Sequence, residues 1–476
     1  MSDTWWLTTS ADTITGTAGN DAIRADNLTL QSTDTVNGGA GTDTFTYTDN
    51  STAGTALAAA SFSNLEVINV RNLSTSGATA ATTEVTNLTF TPLADTRTII
   101  IAGRTLTATA DATAAQVSTA FALGTNQTNV TVSGALTGHT VTSFNSSTNQ
   151  VTLTATASGA VTDLTNTGTG AVVVLSVATQ GAAASTGAGN AMTVAAGQFS
   201  GATTFNVDGS TAAVTYTGLA AGQIAGVTGS THNANVTFGY GATVTSGTFN
   251  ISGGTQGGTI TQTGAGITSN TINSTGAANT VGAITLSGTG NTALTINAAT
   301  ALVTGGITGF TGTNSTITVS GAATSTSGNA VTLGTIENTT VATINAGGLT
   351  AGGITATLNT NQALVVTGGA GNDFITTGAA LTTGSVNAGG GTGDRLTLGA
   401  DAHINSLTLG GKYSGFEVVS VGTGGTTIDL DNLAPTNTLT GLRVTGNSTV
   451  SNMNAATAAN VTVTADTCQA TPRFTR

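Results

Sequence analysis

The sequence predicts an all-β protein, a right-handed parallel β-helix or β-roll solenoid that carries a small α+β insertion. Thr, Ala, Gly, Asn and Ser dominate the 476 residues evenly, with 66 Gly and only 3 Pro. Segments such as "NTALTINAATALVTGGITG" (291–309) alternate aliphatic residues with Thr, Asn or Ser, the pattern of strands with one buried face. Length alone would allow about three globular domains, but so even a composition favours a stack of similar coils.

Five segments follow one another along the chain, and they differ mainly in where the carboxylates lie. The first and fourth are acidic modules, the second is the insertion, the third is a nearly uncharged Thr/Gly/Asn-rich solenoid, and the fifth is an atypical tail. Their predicted bounds are 1–87, 88–178, 179–362, 363–467 and 468–476.

The insertion differs from its surroundings in its periodicity. "RTIIIAGRTLTATA" predicts two short strands and a turn, and "DATAAQVSTAFALG" predicts a helix capped near Asp111, with Val117 and Phe121 one turn apart. Residues 129–157 predict a strand ladder with Gly- and Asn-rich turns. The residues of this unit leave its role open.

Charge excludes one class of partner, and the length of the apolar runs excludes a membrane span. The net charge is −12, and no Lys or Arg occurs between Arg104 and Arg395, so no basic stripe could follow a phosphate backbone. The longest apolar run, "AVVVLSVA" (171–178), is too short to span a bilayer. We therefore expect neither nucleic acid as a partner nor a transmembrane segment. The single cysteine, Cys468, cannot form an intrachain disulfide.

The two acidic modules are copies of each other. "GTAGNDAI" (16–23) matches "GGAGNDFI" (368–375), "VNGGAGTDTF" (36–45) matches "VNAGGGTGDRL" (386–396), and "FSNLEVINV" (62–70) matches "YSGFEVVSV" (413–421). Glycines that accept positive φ, followed by an Asp and an apolar residue, are typical of loops that bind calcium through carboxylate and carbonyl oxygens. The Asp residues repeat after roughly one coil of a β-helix, so successive loops would face each other across one ion.

These loops resemble the RTX, or haemolysin-type, calcium-binding repeat GGxGxDxUx, where U is a large apolar residue. "GGAGTDTF" and "GGAGNDFI" fit it fully, "GTAGNDAI" lacks the second Gly, and "GGGTGDRL" has one extra residue before its Asp. The resemblance implies Ca²⁺ as the cofactor. The implied metal-binding residues are Gly19, Asp21, Gly39, Gly41, Asp43, Gly369, Gly371, Asp373, Gly391 and Asp394.

Together with the Thr/Ala/Gly/Asn-rich body, the modules resemble the calcium-dependent surface-layer proteins that Gram-negative bacteria export by type I secretion. The resemblance implies a secreted, self-assembling structural protein at the bacterial cell surface, with copies of itself as partners and a cell-surface polysaccharide as a further one. Two alternatives stay open, an adhesin or extracellular display rod and a polysaccharide-acting β-helix enzyme. The solenoid segment offers an enzyme only Asp208, Glu337, His232, Tyr216 and Tyr240, without a basic partner, so we expect no catalysis.

The sequence leaves the roles of some side chains open and predicts only surface, turn or packing roles for others. Glu66 and Glu417 would either complete a calcium shell or be solvated strand residues, and Trp5 and Trp6 would form a cap or a contact. Asn residues at turns are expected to stack into hydrogen-bonded ladders. Surface charges are predicted at Asp12, Asp26 and Asp34, and exposed or turn histidines at His139, His232 and His403.

Overall fold

The structure is a computed structural model of the full chain. It describes residues 2–52, 57–75, 81–169, 173–182, 189–255, 257–325, 329–422, 426–446, 448–463 and 473–475; Cys468 and most of the predicted tail lie outside this range. The chain forms two compact units, Met1–Thr75 with Gly189–Arg476, and Ser76–Ala188. The predicted insertion, 88–178, falls within the second unit.

The larger unit is a β-solenoid of parallel strands, which confirms the predicted fold class. Its first sheet has 14 strands: Thr4–Trp6, Ala22–Asp26, Thr44–Asp49, Val67–Asn72, Thr204–Asp208, Ile224–Thr228, Ser246–Ser252, Ser269–Thr275, Ala293–Ala298, Ser315–Gly321, Val341–Leu349, Val365–Thr367, Ser385–Asn387 and Tyr413–Ser414. The second has 13: Met192–Ala195, Val214–Leu219, Val236–Tyr240, Ile260–Thr263, Asn279–Ser287, Leu302–Thr308, Asn329–Ile336, Gly353–Thr357, Phe374–Thr376, Arg395–Thr397, Val418–Val421, Gly441–Val444 and Val461–Val463.

Two smaller sheets complete the solenoid. The third sheet consists of Thr13–Thr15, Thr35–Asn37, Ser61–Ser63 and Phe199–Ser200, and the fourth of Thr426–Asp429, Ser448–Ser451 and Arg473–Thr475. Short helices join some strands, with α-helices at Leu407–Gly410 and Ala455–Ala459 and 3-10 helices at Ala196–Gln198, Asp401–His403 and Leu430–Asn432. Within the described residues, no helix is long and apolar enough to cross a membrane.

Alternation of apolar and polar residues builds the solenoid core, as the sequence predicts. In the strand Thr44–Asp49 the side chains alternate between half-buried and buried, so that Phe45 and Tyr47 face inward. The inward residues of successive coils form one continuous hydrophobic cluster. Aromatic rings follow one another along it, with centroids 4.9 Å apart for Phe45 and Phe62 and 4.6 Å apart for Phe62 and Phe199. Because each coil packs against the next, the core is built from side chains that are far apart in sequence.

The smaller unit has a hydrophobic core of its own. It contains a three-stranded sheet and a four-stranded antiparallel sheet, and the helix Ala114–Leu123 packs against both. The helix was predicted to be capped near Asp111, and its N-cap is Thr113, which forms a reciprocal capping box with Gln116; its C-cap is Gly124. The strands of the three-stranded sheet are Thr98–Ile101, Arg104–Ala108 and Val130–Ser133. Those of the four-stranded sheet are Thr83–Phe90, His139–Asn145, Gln150–Ser158 and Val173–Thr179.

The two tryptophans have different environments. Both lie in the strand Thr4–Trp6, the outermost strand of the first sheet among the described residues. Trp5 packs against the core, whereas Trp6 is 68% exposed and has the Arg24 guanidinium 5.5 Å from its ring centroid. Trp5 therefore contributes to the core, and Trp6 presents an aromatic surface to solvent.

Candidate functional site

The N-terminal acidic residues form a ladder that connects successive coils. Asp21 Oδ1 accepts a hydrogen bond from the backbone N–H of Asp3 at 2.6 Å, and Asp43 Oδ1 accepts one from the N–H of Asp21 at 2.7 Å. Glu66 Oε2 ends the ladder by accepting from the N–H of Asp43 at 2.7 Å. Ala22 pairs with Thr44 in the first sheet, so the predicted spacing of one coil between the two Asp residues is confirmed.

The C-terminal module repeats the same bonds in the same order. Asp373 Oδ1 accepts from the N–H of Ile354 at 2.7 Å, Asp394 Oδ1 from the N–H of Asp373 at 2.6 Å, and Glu417 Oε2 from the N–H of Asp394 at 2.9 Å. The extra residue before Asp394 does not prevent this bond. The sequence left the role of Glu66 and Glu417 open, and the structure makes each the last acceptor of its ladder.

The two ladders lie in separate parts of the solenoid. Seven strands of the first sheet separate Val67–Asn72 from Val365–Thr367. In the N-terminal module the loops lead from the third sheet to the first, whereas in the C-terminal module they lead from the first sheet to the second. The predicted residues are therefore brought together within each module, and the modules form two separate candidate sites.

The loop glycines allow the coils to approach closely. A Cβ on Gly41 would lie 2.7 Å from the carbonyl oxygen of Gly19, and one on Gly391 would lie 3.0 Å from that of Gly371. The φ angles of Gly41 and Gly391 are 128° and 146°, and Gly39 has a φ of 96°. A Cβ on Gly369 would lie 2.2 Å from the Gly352 carbonyl oxygen. Packing between coils thus requires glycine at positions 39, 41, 369 and 391, whether or not a cation is bound.

The asparagines of the GND triplets add a hydrogen bond that the sequence analysis missed. Asn20 Oδ1 accepts from the N–H of Thr42 at 2.9 Å, and Asn372 Oδ1 accepts from those of Thr392 and Gly393 at 3.3 and 3.2 Å. The signal for this role was the repetition of GND in both copies. Its purpose could not be read from the sequence because the donors lie one coil further on.

Asp34 corrects one of the sequence predictions. It is 1% exposed rather than a surface charge, because Oδ1 accepts from the backbone N–H of Asp12 at 2.8 Å and Oδ2 from that of Gln31 at 2.7 Å. Asp12 and Asp26 are half-buried. Asp26 caps a turn, with its Oδ1 accepting from the N–H of Leu28 at 2.9 Å. The coil-to-coil carboxylate bond is therefore not restricted to the glycine-rich loops.

The local environment shifts the pKa values of the ladder carboxyl groups in different directions. Hydrogen bonds from the backbone of Asp3 and Thr17 lower the pKa of Asp21. Burial raises the pKa of Asp43, and the nearby Glu66 carboxylate raises it further. Burial raises the pKa of both Asp373 and Asp394 to about 7. Proton occupancy in the C-terminal ladder therefore changes near neutral pH.

The carboxylate oxygens differ in whether they already accept a hydrogen bond or remain available to a cation. Asp21 Oδ2 accepts from the N–H of Thr17 at 2.6 Å, and Asp373 Oδ2 from that of Gly369 at 3.0 Å, so both oxygens of these two residues already have backbone partners. Asp43 Oδ2 is buried and accepts no hydrogen bond from the described residues. A buried anionic oxygen without a donor is costly, and a cation would satisfy it.

Few carboxylates are available near Asp43 to act as ligands of such a cation. The described residues contain no group of three or more His, Cys, Asp or Glu side chains close enough to hold a metal ion. A Cβ on Gly38 would lie 1.9 Å from the Asn64 carbonyl oxygen and 2.7 Å from Asp43 Oδ2, so backbone carbonyl and carboxylate oxygens meet beside this loop. One carboxylate with loop carbonyls and water is a ligand set that Ca²⁺ accepts. Asp43 Oδ2 and the Asn64 carbonyl oxygen are ligands of the kind that Ca²⁺ takes, but they are two of the roughly six to eight oxygens that the ion needs, so other carbonyl groups and water would have to supply the rest.

Three of the five residues considered for catalysis, His232, Tyr216 and Tyr240, are buried. His232 was predicted to be exposed or in a turn; its backbone N–H closes a turn with the Gly229 carbonyl at 3.0 Å, but its side chain is 1% exposed, and burial lowers its pKa to about 4. Tyr216 donates its hydroxyl to the Asn206 carbonyl at 2.8 Å, and Tyr240 donates to that of Thr248 at 2.9 Å. These side chains contribute to packing within the coils.

Comparison with protein-family models and with curated proteins finds no match for this chain.

Proposed function

We propose that this protein is a structural, self-assembling component of a bacterial cell surface whose solenoid is stabilised by Ca²⁺ after export. The observation that carries the proposal is the duplicated carboxylate ladder, and within it the buried Asp43 Oδ2, which accepts no hydrogen bond from any residue that the structure describes. Asp43 with loop carbonyl oxygens would hold one ion. Asp394, which occupies the same ladder position in the second copy, would hold another.

The proposed mechanism couples metal binding to folding. Where free calcium is low, the buried acidic ladders lack a counter-ion, and the chain remains loose enough for export through a type I secretion channel. At extracellular, millimolar calcium, weak sites fill and stabilise the folded form by mass action. The completed solenoid then associates with other copies as a lattice or a filament, and a cell-surface polysaccharide anchors it.

Electron microscopy together with calorimetry tests this proposal. Purified protein is imaged by negative stain in about 5 mM calcium, magnesium or chelator, and calcium binding is measured on the same sample. Ordered sheets or filaments that form only with calcium are the expected result. Calcium binding by dispersed molecules would refute self-assembly and favour the second candidate, and no calcium response would refute the calcium-dependent mechanism.

The second candidate is an adhesin or extracellular display rod. The observation that favours it is the compact unit Ser76–Ala188, which has its own core and is inserted between the consecutive solenoid strands Val67–Asn72 and Met192–Ala195. A solenoid that serves to display such a unit would bind a target through the insertion and need not form a lattice. Deletion of the insertion would then abolish target binding and leave calcium binding unchanged.

A further inference from the structure

An asparagine ladder runs along the outward side of the first sheet. Asn273 donates to Asn250 Oδ1 at 2.8 Å, Asn297 donates to Asn273 Oδ1 at 2.8 Å, and Ser320 donates to Asn297 Oδ1 at 3.2 Å. These residues occupy equivalent positions in neighbouring strands. The ladder lies within strands rather than at the turns where the sequence predicted such stacking.

A groove lies beside this ladder. It has a volume of about 570 Å³, and the ladder residues form one side of it. The other side is formed by the next outward row of the same strands and the residues that follow them, with the exposed Thr275, Ala299 and Ala322. This volume is within the range of small-ligand sites and holds a short segment of a polymer.

The lining carries no charge. Its side chains are amides, hydroxyls and methyl groups, with glycine between them. The only acidic residues between positions 179 and 362 are Asp208 and Glu337, and this stretch has no Lys or Arg. A ligand that binds through ion pairs, such as a nucleic acid or an acidic glycan, therefore has no counter-charge in the groove.

Amide groups of the ladder retain hydrogen-bonding capacity. Each amide has two N–H donors and an oxygen with two lone pairs, and the ladder uses one N–H of Asn273 and one of Asn297. Equivalent amides occupy three successive coils, at Asn250, Asn273 and Asn297, about 4.8 Å apart. A regular row of groups that both donate and accept is complementary to a polymer whose repeating unit carries several hydroxyl groups.

We infer that this groove binds a neutral glycan chain, with the amides of Asn250, Asn273 and Asn297 bonding its hydroxyl groups. The small side chain of Ala299 opposite the ladder leaves room for the sugar rings. The inference goes beyond the proposed calcium-dependent assembly and concerns a different part of the solenoid, so it does not require the carboxylate ladders to bind metal.

Calorimetric titration of the full chain with neutral hexasaccharides tests the inference. Cellohexaose, maltohexaose, laminarihexaose and chitohexaose are the probes, and an oligogalacturonate of the same length is the charged comparison. At least one neutral probe should bind more tightly than the oligogalacturonate. Absence of binding by all four neutral probes at about 10 mM, or tighter binding of the charged one, would overturn the inference.

Two groove variants and one matched control locate the site. Ala299→Trp fills the groove from an exposed position without changing the ladder, and it should weaken binding by at least about tenfold. Asn273→Ala should weaken it by about fivefold, as expected for the loss of one hydrogen bond. Asn69→Ala removes the same kind of amide bond, which Asn206 donates at 3.0 Å, but outside the groove, and it should leave affinity unchanged.

Circular dichroism and thermal unfolding of each variant separate loss of the site from loss of the fold. Full-strength binding by a folded Ala299→Trp variant would overturn the inference. Sedimentation of the unliganded protein provides a further criterion, because a dimer that Ala299→Trp dissociates, without glycan binding by the wild type, would make the groove an interface between copies and likewise overturn it.

Discussion

Asp43 accepts a hydrogen bond from the backbone N–H of Asp21, one coil earlier, through one carboxylate oxygen, and its other oxygen is buried without a donor among the described parts of the chain. One oxygen of this side chain therefore has a structural role, and the other is the one that we propose binds a cation. The first oxygen helps to fix the register of two coils. The second carries a desolvation cost that only protonation, a water molecule or a metal ion can remove.

Substitution of Glu66 should show how much the carboxylate ladder contributes to the stability of the N-terminal module. In Glu66→Ala the buried N–H of Asp43 loses its acceptor, so we expect the N-terminal module to lose about 1–3 kcal/mol of stability. Glu66→Gln keeps an acceptor oxygen and should cost less. Hydrogen exchange of the peptide that contains the Asp43 amide measures the change, and equal protection in both variants would contradict this role for Glu66.

Asp43 and Asp34 form a matched pair for testing calcium binding. Asp43→Asn keeps the acceptor for Asp21 and removes a buried carboxylate, so in chelator the variant should be as stable as the wild type or more stable. With about 1 mM calcium the wild type should gain stability and the variant should not. Urea unfolding followed by circular dichroism measures both states.

Asp34→Asn is the control, because both oxygens of Asp34 accept backbone N–H groups and an amide can replace only one of them. We expect this variant to lose about 1–3 kcal/mol in chelator and in calcium alike, and to retain calcium binding. A calcium response that survives Asp43→Asn, or disappears in Asp34→Asn, would remove Asp43 from the proposed site.

Features that depend on local sequence patterns could be predicted, whereas features that depend on distant residues could not. Alternating residues predicted the strands, and the spacing of Asp21 and Asp43 predicted that they would lie one coil apart, as the pairing of Ala22 with Thr44 confirms. The burial of Asp34 was missed because its partner, the Asp12 N–H, lies 22 residues away and has no sequence signature. Duplicated motifs also could not reveal that the second copy leads to a different sheet, since that depends on the path of the intervening coils.

Gly38→Ala should destabilise the N-terminal module even without calcium. A Cβ at this position would lie 1.9 Å from the Asn64 carbonyl oxygen of the next coil, so the coils must separate or the strands shift. Overpacking of this kind costs about 1–3 kcal/mol or more. Gly197→Ala is the control, because a Cβ there meets nothing within 4 Å. Urea midpoints in chelator should fall for Gly38→Ala and hold or rise slightly for Gly197→Ala. Equal midpoints would mean that the motif glycine is not needed for packing.

The C-terminal ladder should give the protein an unusual dependence on pH in chelator. The folded pKa of Asp394, about 7, lies above its unfolded value, so this group stabilises the fold fully only below about pH 4. Its contribution declines as pH rises, because the unfolded chain has already released a proton that the folded chain still holds, and it is lost above about pH 7.

Asp394→Asn cannot titrate, so its urea midpoint should fall less than that of the wild type between about pH 4 and pH 8. Calcium requires the deprotonated carboxylate, so calcium binding by the wild type should be tighter at about pH 8 than at pH 6 and should release protons. Calorimetry in two buffers of different ionisation enthalpy measures that release. Parallel pH profiles for the wild type and the variant would show that the Asp394 carboxyl group does not titrate in this range. Calcium binding without proton release near pH 6 would place the ion away from this ladder.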